Sequence, residues 1–272
     1  SSPNYFWPSD GSNLSFFAYA PSATDLGAAI TINATTKTLA DFSPATVIAD
    51  QKDFITASAT GSKANESTGV ALTFAHRLAQ IEVKAKNSNE GYIYKVQGVR
   101  ICQPISKASF DFGSLAWTLG TEKADYEIVY DAAKTLGSSV VSIMDPDGNN
   151  AMLLPQQLTA WDSEADKTNA NKGAYLAVKI NITTKDGARV YPVASVGEYD
   201  WAAVAINTNW QAGQKYIYTL DFSNGAGKVN PGKPTPTDPE DHFNPGDDIL
   251  GSPIKFTVEV APWTAESQDI NM

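Results

Sequence analysis

Apolar and polar residues alternate with a period of two along most of the chain. The clearest run is Gln80–Lys86, which predicts a half-buried β-strand with one solvated face. No stretch carries a long apolar stripe with the helical period, and only Phe74–Gln80 is compatible with one helical turn. The chain is therefore predicted to be all-β, with antiparallel strands packed as sandwiches. The same alternation predicts further strands at Asn13–Ala20, Ala29–Ala34, Val70–Phe74, Tyr94–Ile101, Ala108–Phe112, Tyr126–Tyr130, Ala174–Ile182, Ala202–Ile206, Lys215–Phe222 and Ile254–Val260.

Two changes in composition interrupt this pattern. Thr60–Gly69 is polar and contains no large apolar side chain, which is typical of a linker. It predicts an N-terminal domain over residues 1–69 and a C-terminal domain over residues 70–272. The first domain holds only about four predicted strands where a sandwich needs about seven, so it is expected to be incomplete. Asn224–Asp248 is rich in Gly, Pro and Asp, so it is expected to be a surface loop that forms no ladder.

The charge of the chain excludes several classes of partner. Thirty acidic residues against 20 lysines and arginines give a formal net charge of −10 at pH 7. An acidic surface repels phosphate backbones and anionic lipid heads, so neither nucleic acid nor a membrane surface is an expected partner. No run of 18 apolar residues occurs, so no membrane span is expected.

The residues able to carry chemistry are few. Cys102 is the single cysteine and His76 and His242 are the only histidines, which excludes an intrachain disulfide and a His-rich zinc site. Asp145–Asn150 offers oxygens as calcium loops do, but it lacks the closing glutamate of an EF-hand and is interpreted as a plain turn. Asp238–Asp248 gathers carboxylates around His242. We interpret it as a solvated acidic loop with unpaired carboxylates, because arginine is scarce.

No motif of a catalytic nucleophile, a phosphate-binding loop or a metalloprotease is present, so catalytic residues, metals and cofactors are all expected to be absent. His76 is expected to have a structural role, either capping or bridging strands, and Cys102 is expected to be buried and inert. Two alternatives stay open at this point. A pair of carboxylates brought together by folding would suit a β-sandwich glycosidase. Tryptophans on one exposed face would suit a carbohydrate-binding module, although packing in the core is the favoured role for Trp7, Trp117, Trp161, Trp201, Trp210 and Trp263.

Five strings, in order along almost the whole chain, resemble the fimbrillin-like pilus subunits of Bacteroidetes. They are Tyr5–Pro8 with Leu14–Pro21, Val70–Val83, Met152–Gln156, Trp210–Tyr218 and Ile254–Trp263. The resemblance implies two transthyretin-like β-sandwich domains and a non-catalytic pilus subunit or adhesin. It also implies export as a lipoprotein precursor to the cell surface and outer membrane. The strands that the family carries before Tyr5, its lipidation cysteine and its cleavage site are not found in this sequence.

In this family a protease removes an N-terminal strand, and a strand of a neighbouring subunit fills the groove. The expected partners are therefore other pilus subunits, together with a host or bacterial surface glycan or protein. The closing strand and the tail are predicted to make the subunit contacts. The predicted contact residues are Ile254, Phe256, Val258, Val260, Trp263 and Ile270. Only Ile270 and Met272 are large and apolar after Trp263, so the tail is expected to be a weak donor strand.

Overall fold

The computed structural model describes residues 6–144, 149–193, 198–251 and 253–263. The regular structure in these residues is almost entirely β, as predicted. Helical residues are confined to one short α-helix, α1 (Ala23–Leu26), and to the 3₁₀ turns Ile48–Asp50 and Lys63–Asn65. The strands are Leu14–Ala20 (β1), Ala29–Ile32 (β2), Lys37–Phe42 (β3), Ile55–Gly61 (β4), Ala75–His76 (β5), Ala79–Lys86 (β6), Tyr92–Cys102 (β7), Ala108–Asp111 (β8), Ala116–Leu119 (β9), Tyr126–Thr135 (β10), Val141–Ser142 (β11), Ala151–Leu153 (β12), Tyr175–Thr184 (β13), Arg189–Tyr191 (β14), Asp200–Ala205 (β15), Gln214–Asp221 (β16), Lys228–Val229 (β17) and Lys255–Pro262 (β18).

Two sheets pack around a first hydrophobic core. One has the strand order β1-β4-β5 and the other the order β2-β3-β8-β9. Alternate side chains of both sheets point into the space between them, so the core is rich in aromatic rings that meet edge to face. The buried residues of this core are Leu26, Leu39, Phe42, Phe54, Leu78, Ala108, Phe110, Phe112 and Leu154.

Two larger sheets enclose the second core. The first has the order β10-β7-β13-β15-β17, and the second has the order β11-β6-β16-β18 with β12 also paired to β6. β13 is central and buried on both faces. Leu176 and Val178 belong to the sandwich core, whereas Tyr175 and Ala177 belong to a smaller buried cluster that includes Trp161. β6 and β16 are parallel, an exception to the antiparallel pairing of the other strands.

The hairpin β8–β9 connects the two halves of the sequence. It follows β7 along the chain, yet β8 pairs with β3 through Leu39 and Phe110. Residues 108–119 therefore share a sheet with strands that precede residue 69. The division into residues 1–69 and 70–272 stays a prediction.

The predicted strands coincide with observed strands, with one exception. Val70–Phe74 forms no strand, so that prediction is wrong. Its alternation lacks a neighbour to pair with, because β4 pairs with β1 along its length and with β5 only at Ile55 and Thr56. The helical turn considered at Phe74–Gln80 is also absent, since β5 and the start of β6 occupy that range.

The Gly- and Pro-rich segment is not a free surface loop, and that expectation is wrong. Within Asn224–Asp248, β17 pairs with β15 through Val229 and Lys228. Val229 is fully buried, and Phe243 is 7% exposed in the second core. Proline is absent from Lys228–Val229, so these two residues keep the N–H groups that a ladder needs.

Candidate subunit interface

The strand β18, at the edge of its sheet, is the candidate site of subunit contact. It pairs with β16 from Lys255 to Pro262, and no described residue pairs with its other side. An edge strand presents a row of free backbone groups to any partner that can add a strand. Of the predicted contact residues, Phe256, Val258 and Val260 belong to this strand, whereas Ile270 lies outside the described residues.

The alternation of hydrogen-bonded and non-bonded pairs between β16 and β18 shows which backbone groups of β18 are free. Trp263 N–H donates to Gly213 O over 2.8 Å, and Phe222 N–H on β16 donates away from β18 to Lys86 O over 3.0 Å. In an antiparallel ladder, opposite residue pairs that exchange backbone hydrogen bonds alternate with pairs that exchange none. The N–H and C=O groups of Phe256, Val258 and Val260 therefore point outward, toward the open edge. Pro262 also has its backbone nitrogen directed away from β16, so the lack of an N–H there removes no hydrogen bond from the β16–β18 ladder.

The same three residues leave an apolar row partly uncovered. They lie opposite Leu220, Tyr218 and Tyr216, which are all buried. Residues directly opposite share one face of a sheet, so the row faces the core. Phe256 and Val258 are only half-buried against that core, and Val260 is 54% exposed. Ile254, directly before β18, is 3% exposed and serves as its anchor.

Trp263 holds the end of β18 against the first sandwich. Its indole stacks on the imidazole of His76 in β5, with the ring centroids 3.9 Å apart and the planes 10° from parallel. His76 Nδ1 lies 2.6 Å from Asp53 Oδ2, so the histidine bridges two segments, which is the structural role predicted for it. One face of the Trp263 ring is thus already used within the subunit. Its contact with a neighbour stays a prediction.

Asp53 is the residue of this cluster that sequence reasoning missed. Burial raises the pKa of its carboxyl above the usual 3.8, although the charge and hydrogen bond of His76 act in the opposite direction. The second oxygen, Oδ1, is buried without a hydrogen-bond partner. Asp53 precedes His76 by 23 positions, so only the fold brings the two together.

The other candidate sites have structural explanations. Cys102 is fully buried, as predicted, and burial raises the pKa of its thiol well above the usual range. The carboxylates of the acidic loop were expected to be unpaired, which is wrong: Asp241 pairs with Lys233 and Asp247 with Lys167, each over 2.8 Å. Lysine thus does the pairing that scarce arginine could not do.

No arrangement for binding metal or sugar stands out. Over the described ranges, no three His, Cys, Asp or Glu side chains are grouped to hold a metal ion. The first four residues of the calcium-like turn at Asp145 lie outside those ranges. All six tryptophans are described. Trp161 and Trp210 are buried and the other four are half-buried, so they form no exposed row of rings.

None of the helices in the described residues is long and apolar enough to cross a membrane.

The comparisons with known proteins place the chain in a family. The sequence profile described as fimbrillin-like matches residues 1–263. No curated protein is significantly similar in sequence. Similar solved structures include a proposed cell adhesion protein from Bacteroides ovatus, with 16% identity, a TM-score of 0.48, and coverage of 98% of this chain and 74% of that one. Another, from Bacteroides uniformis, has 16% identity, a TM-score of 0.44, and coverage of 96% and 76%. The chain belongs to the fimbrillin-like family, as its motifs predicted, and is a structural, non-enzymatic protein of pili or cell adhesion at the cell surface.

Proposed function

We propose that the chain is a pilus subunit that assembles by strand addition, and that a strand of a neighbouring subunit pairs with the open edge of β18. The observation that carries the proposal is the coincidence of two features at Phe256, Val258 and Val260. Their backbone groups point away from β16, and their side chains form a half-covered apolar row. A neighbouring strand would satisfy the first feature and cover the second.

Strand addition at this edge would gain both backbone hydrogen bonds and buried apolar area. Each new backbone hydrogen bond contributes a net stabilisation of about 0.5–1.5 kcal/mol. Covering Val260, now 54% exposed, adds about 1 kcal/mol, because full burial of a valine side chain is worth about 1.5–3 kcal/mol. These hydrogen bonds and the newly buried side chain act against the cost of association, which is about 4–15 kcal/mol.

The finer features of the role rest on the family resemblance. We propose that the protein is exported as a lipoprotein precursor, that its mature form is anchored at the outer membrane, and that its partners are other pilus subunits. A surface glycan or protein is the proposed adhesion ligand. The carbohydrate-binding alternative finds little support here, because none of the six tryptophans is an exposed residue.

The test removes one outward N–H group and leaves the ladder to β16 intact. Val260→Pro eliminates the donor at an exposed position of β18, whereas the matched control Val260→Ala shortens the side chain and keeps the donor. Both variants are produced in the native cell, and pili sheared from the surface are quantified by immunoblot and electron microscopy. Circular dichroism and the urea midpoint of each purified chain report whether it folds.

We expect Val260→Pro to lower the pilus yield about tenfold below that of Val260→Ala, since one lost hydrogen bond worth about 1.4 kcal/mol changes an equilibrium constant tenfold. Both variants should remain folded. Equal yields from two folded variants would contradict addition at this edge.

A further inference from the structure

Lys233 and Asp241 form the most enclosed of the lysine–carboxylate pairs. The lysine Nζ lies 2.8 Å from Oδ2 of Asp241, and the two side chains are only 10% and 11% exposed. A second carboxylate, that of Asp200 at the start of β15, has its Oδ2 3.7 Å from the same nitrogen. One amine thus faces two carboxylates in a setting that is poor in water.

The backbone around Phe243 fixes the geometry of this pair. Asp241 Oδ1 accepts the N–H of Phe243 over 3.0 Å, which leaves Oδ2 directed at the lysine. Lys233 Nζ also donates to the carbonyl oxygen of Phe243 over 3.0 Å. The Phe243 ring packs edge to face on Tyr191, which is fully buried, with 5.1 Å between the ring centroids. These contacts hold both reacting groups with little freedom.

A comparison with Lys167 and Asp247 shows what is special here. Their Nζ–Oδ1 distance is also 2.8 Å, but the side chains are 58% and 29% exposed. Water solvates those charges and competes with the lysine for the carboxylate oxygens. Little water reaches the Lys233–Asp241 pair, so the lysine nitrogen stays in contact with the carboxyl group.

We propose that Lys233 and Asp241 become joined by an intramolecular amide bond. The ammonium gives one proton to the Asp241 carboxylate, and the neutral Nζ attacks the carboxyl carbon to form a new N–C bond. Asp200 takes a second proton from the nitrogen and delivers it to the departing hydroxyl. The C–O bond breaks, one water molecule leaves, and Asp200 returns to its starting state. No oxidant or reductant is needed.

Two physical effects favour this reaction over its reversal. Groups held in contact react as if at effective concentrations of about 10⁵–10⁸ M, which offsets the cost of forming an amide in water. Exclusion of water from the site also limits hydrolysis of the product. The bond would close residues 233–241 into a ring and pin Phe243 against the sandwich. A segment cross-linked in this way resists proteolysis and mechanical unfolding, which suits a protein exposed at the cell surface.

The test is the intact mass of the denatured full chain by high-resolution mass spectrometry. We expect a mass lower than that of the sequence by one water molecule. In the tryptic peptide that spans both residues, the fragment series should lack breaks between positions 233 and 241, because one cleavage cannot open a ring. The peptide that contains Lys167 should appear separately and at full mass, as the matched internal control, because the more exposed Lys167–Asp247 pair is not expected to react.

Variants distinguish the amide bond from other losses of water. Lys233→Arg, which keeps the charge, and Asp241→Ala should both restore the full mass. Asp241→Asn should lose ammonia instead of water, and Asp200→Asn should leave a large unreacted fraction. A full mass for the native chain, or a water loss that persists in Lys233→Arg, would overturn the proposal.

Discussion

Substitution of Gly227 by alanine tests whether the Gly- and Pro-rich segment is docked on the second sandwich. Gly227 has a φ of +77°, and a Cβ there would lie 2.6 Å from the carbonyl oxygen of Ala203 and 2.8 Å from the side chain of Ile254. Both the left-handed backbone and the close approach to β15 therefore require glycine. If the segment were a free loop, alanine would cost only the change of backbone conformation and nothing for steric overlap.

Two other glycines separate the contributions. Gly251 has a φ of +59° with nothing within 4 Å of its added Cβ, so Gly251→Ala measures the backbone cost alone. Gly232 has no such φ, and the nearest atom to its added Cβ is in the Asn230 side chain at 3.5 Å, an ordinary van der Waals distance, so Gly232→Ala should change little. The left-handed conformation costs alanine about 1–2 kcal/mol. Overpacking against a backbone carbonyl adds about 1–3 kcal/mol.

The assay is equilibrium urea unfolding of the full chain and the three variants. We expect Gly232→Ala to stay within about 1 kcal/mol of the parent, Gly251→Ala to lose about 1–2 kcal/mol, and Gly227→Ala to lose about 2–5 kcal/mol. At a typical slope the last loss moves the midpoint by about 1–2 M urea. A Gly227→Ala variant as stable as Gly251→Ala would refute the close packing of this segment on β15.

Two further predictions concern buried groups. Burial raises the pKa of Asp53 in the folded state, so its contribution to stability is present below its usual pKa of 3.8 and is lost as pH rises through the folded pKa. The stability of Asp53→Asn relative to the parent should therefore increase as the pH rises above the usual carboxyl pKa of 3.8, as followed by urea titrations. A difference that does not change with pH would contradict this. Cys102 is fully buried with a raised thiol pKa, so a thiol reagent should label it only after unfolding, and rapid labelling of the native chain would contradict its placement.

Alternation in the sequence predicts the long central strands well. Buried apolar residues recur along three of these strands, β7, β13 and β16, so their sequences alone indicate a strand. β4 was missed, because its sequence ITASATG consists mainly of small and polar residues. Val70–Phe74 was wrongly predicted, since a pattern of side chains does not reveal whether a neighbouring strand is available for pairing.

The candidate site could be predicted only in part. The sequence identifies the closing strand and the alternate residues Phe256, Val258 and Val260 as one face. The open edge of β18 follows from strand order, in particular from the parallel pairing of β16 with β6, and no local pattern encodes that order. The Asp53–His76 contact and the Lys233–Asp241 pair likewise depend on the path of the chain in space. The Gly and Pro content of residues 224–248 predicted a loop, so the burial of Val229 in the second core was not foreseen.

In the proposed pilus, a neighbouring subunit adds a strand to the edge of β18. Electron cryomicroscopy of pili sheared from the native cell tests it most directly, because the density of the strands can be traced from one subunit to the next. We expect a strand of the adjacent subunit hydrogen-bonded to Phe256, Val258 and Val260, with the Val260 side chain covered. A filament in which this edge of β18 faces solvent would contradict it.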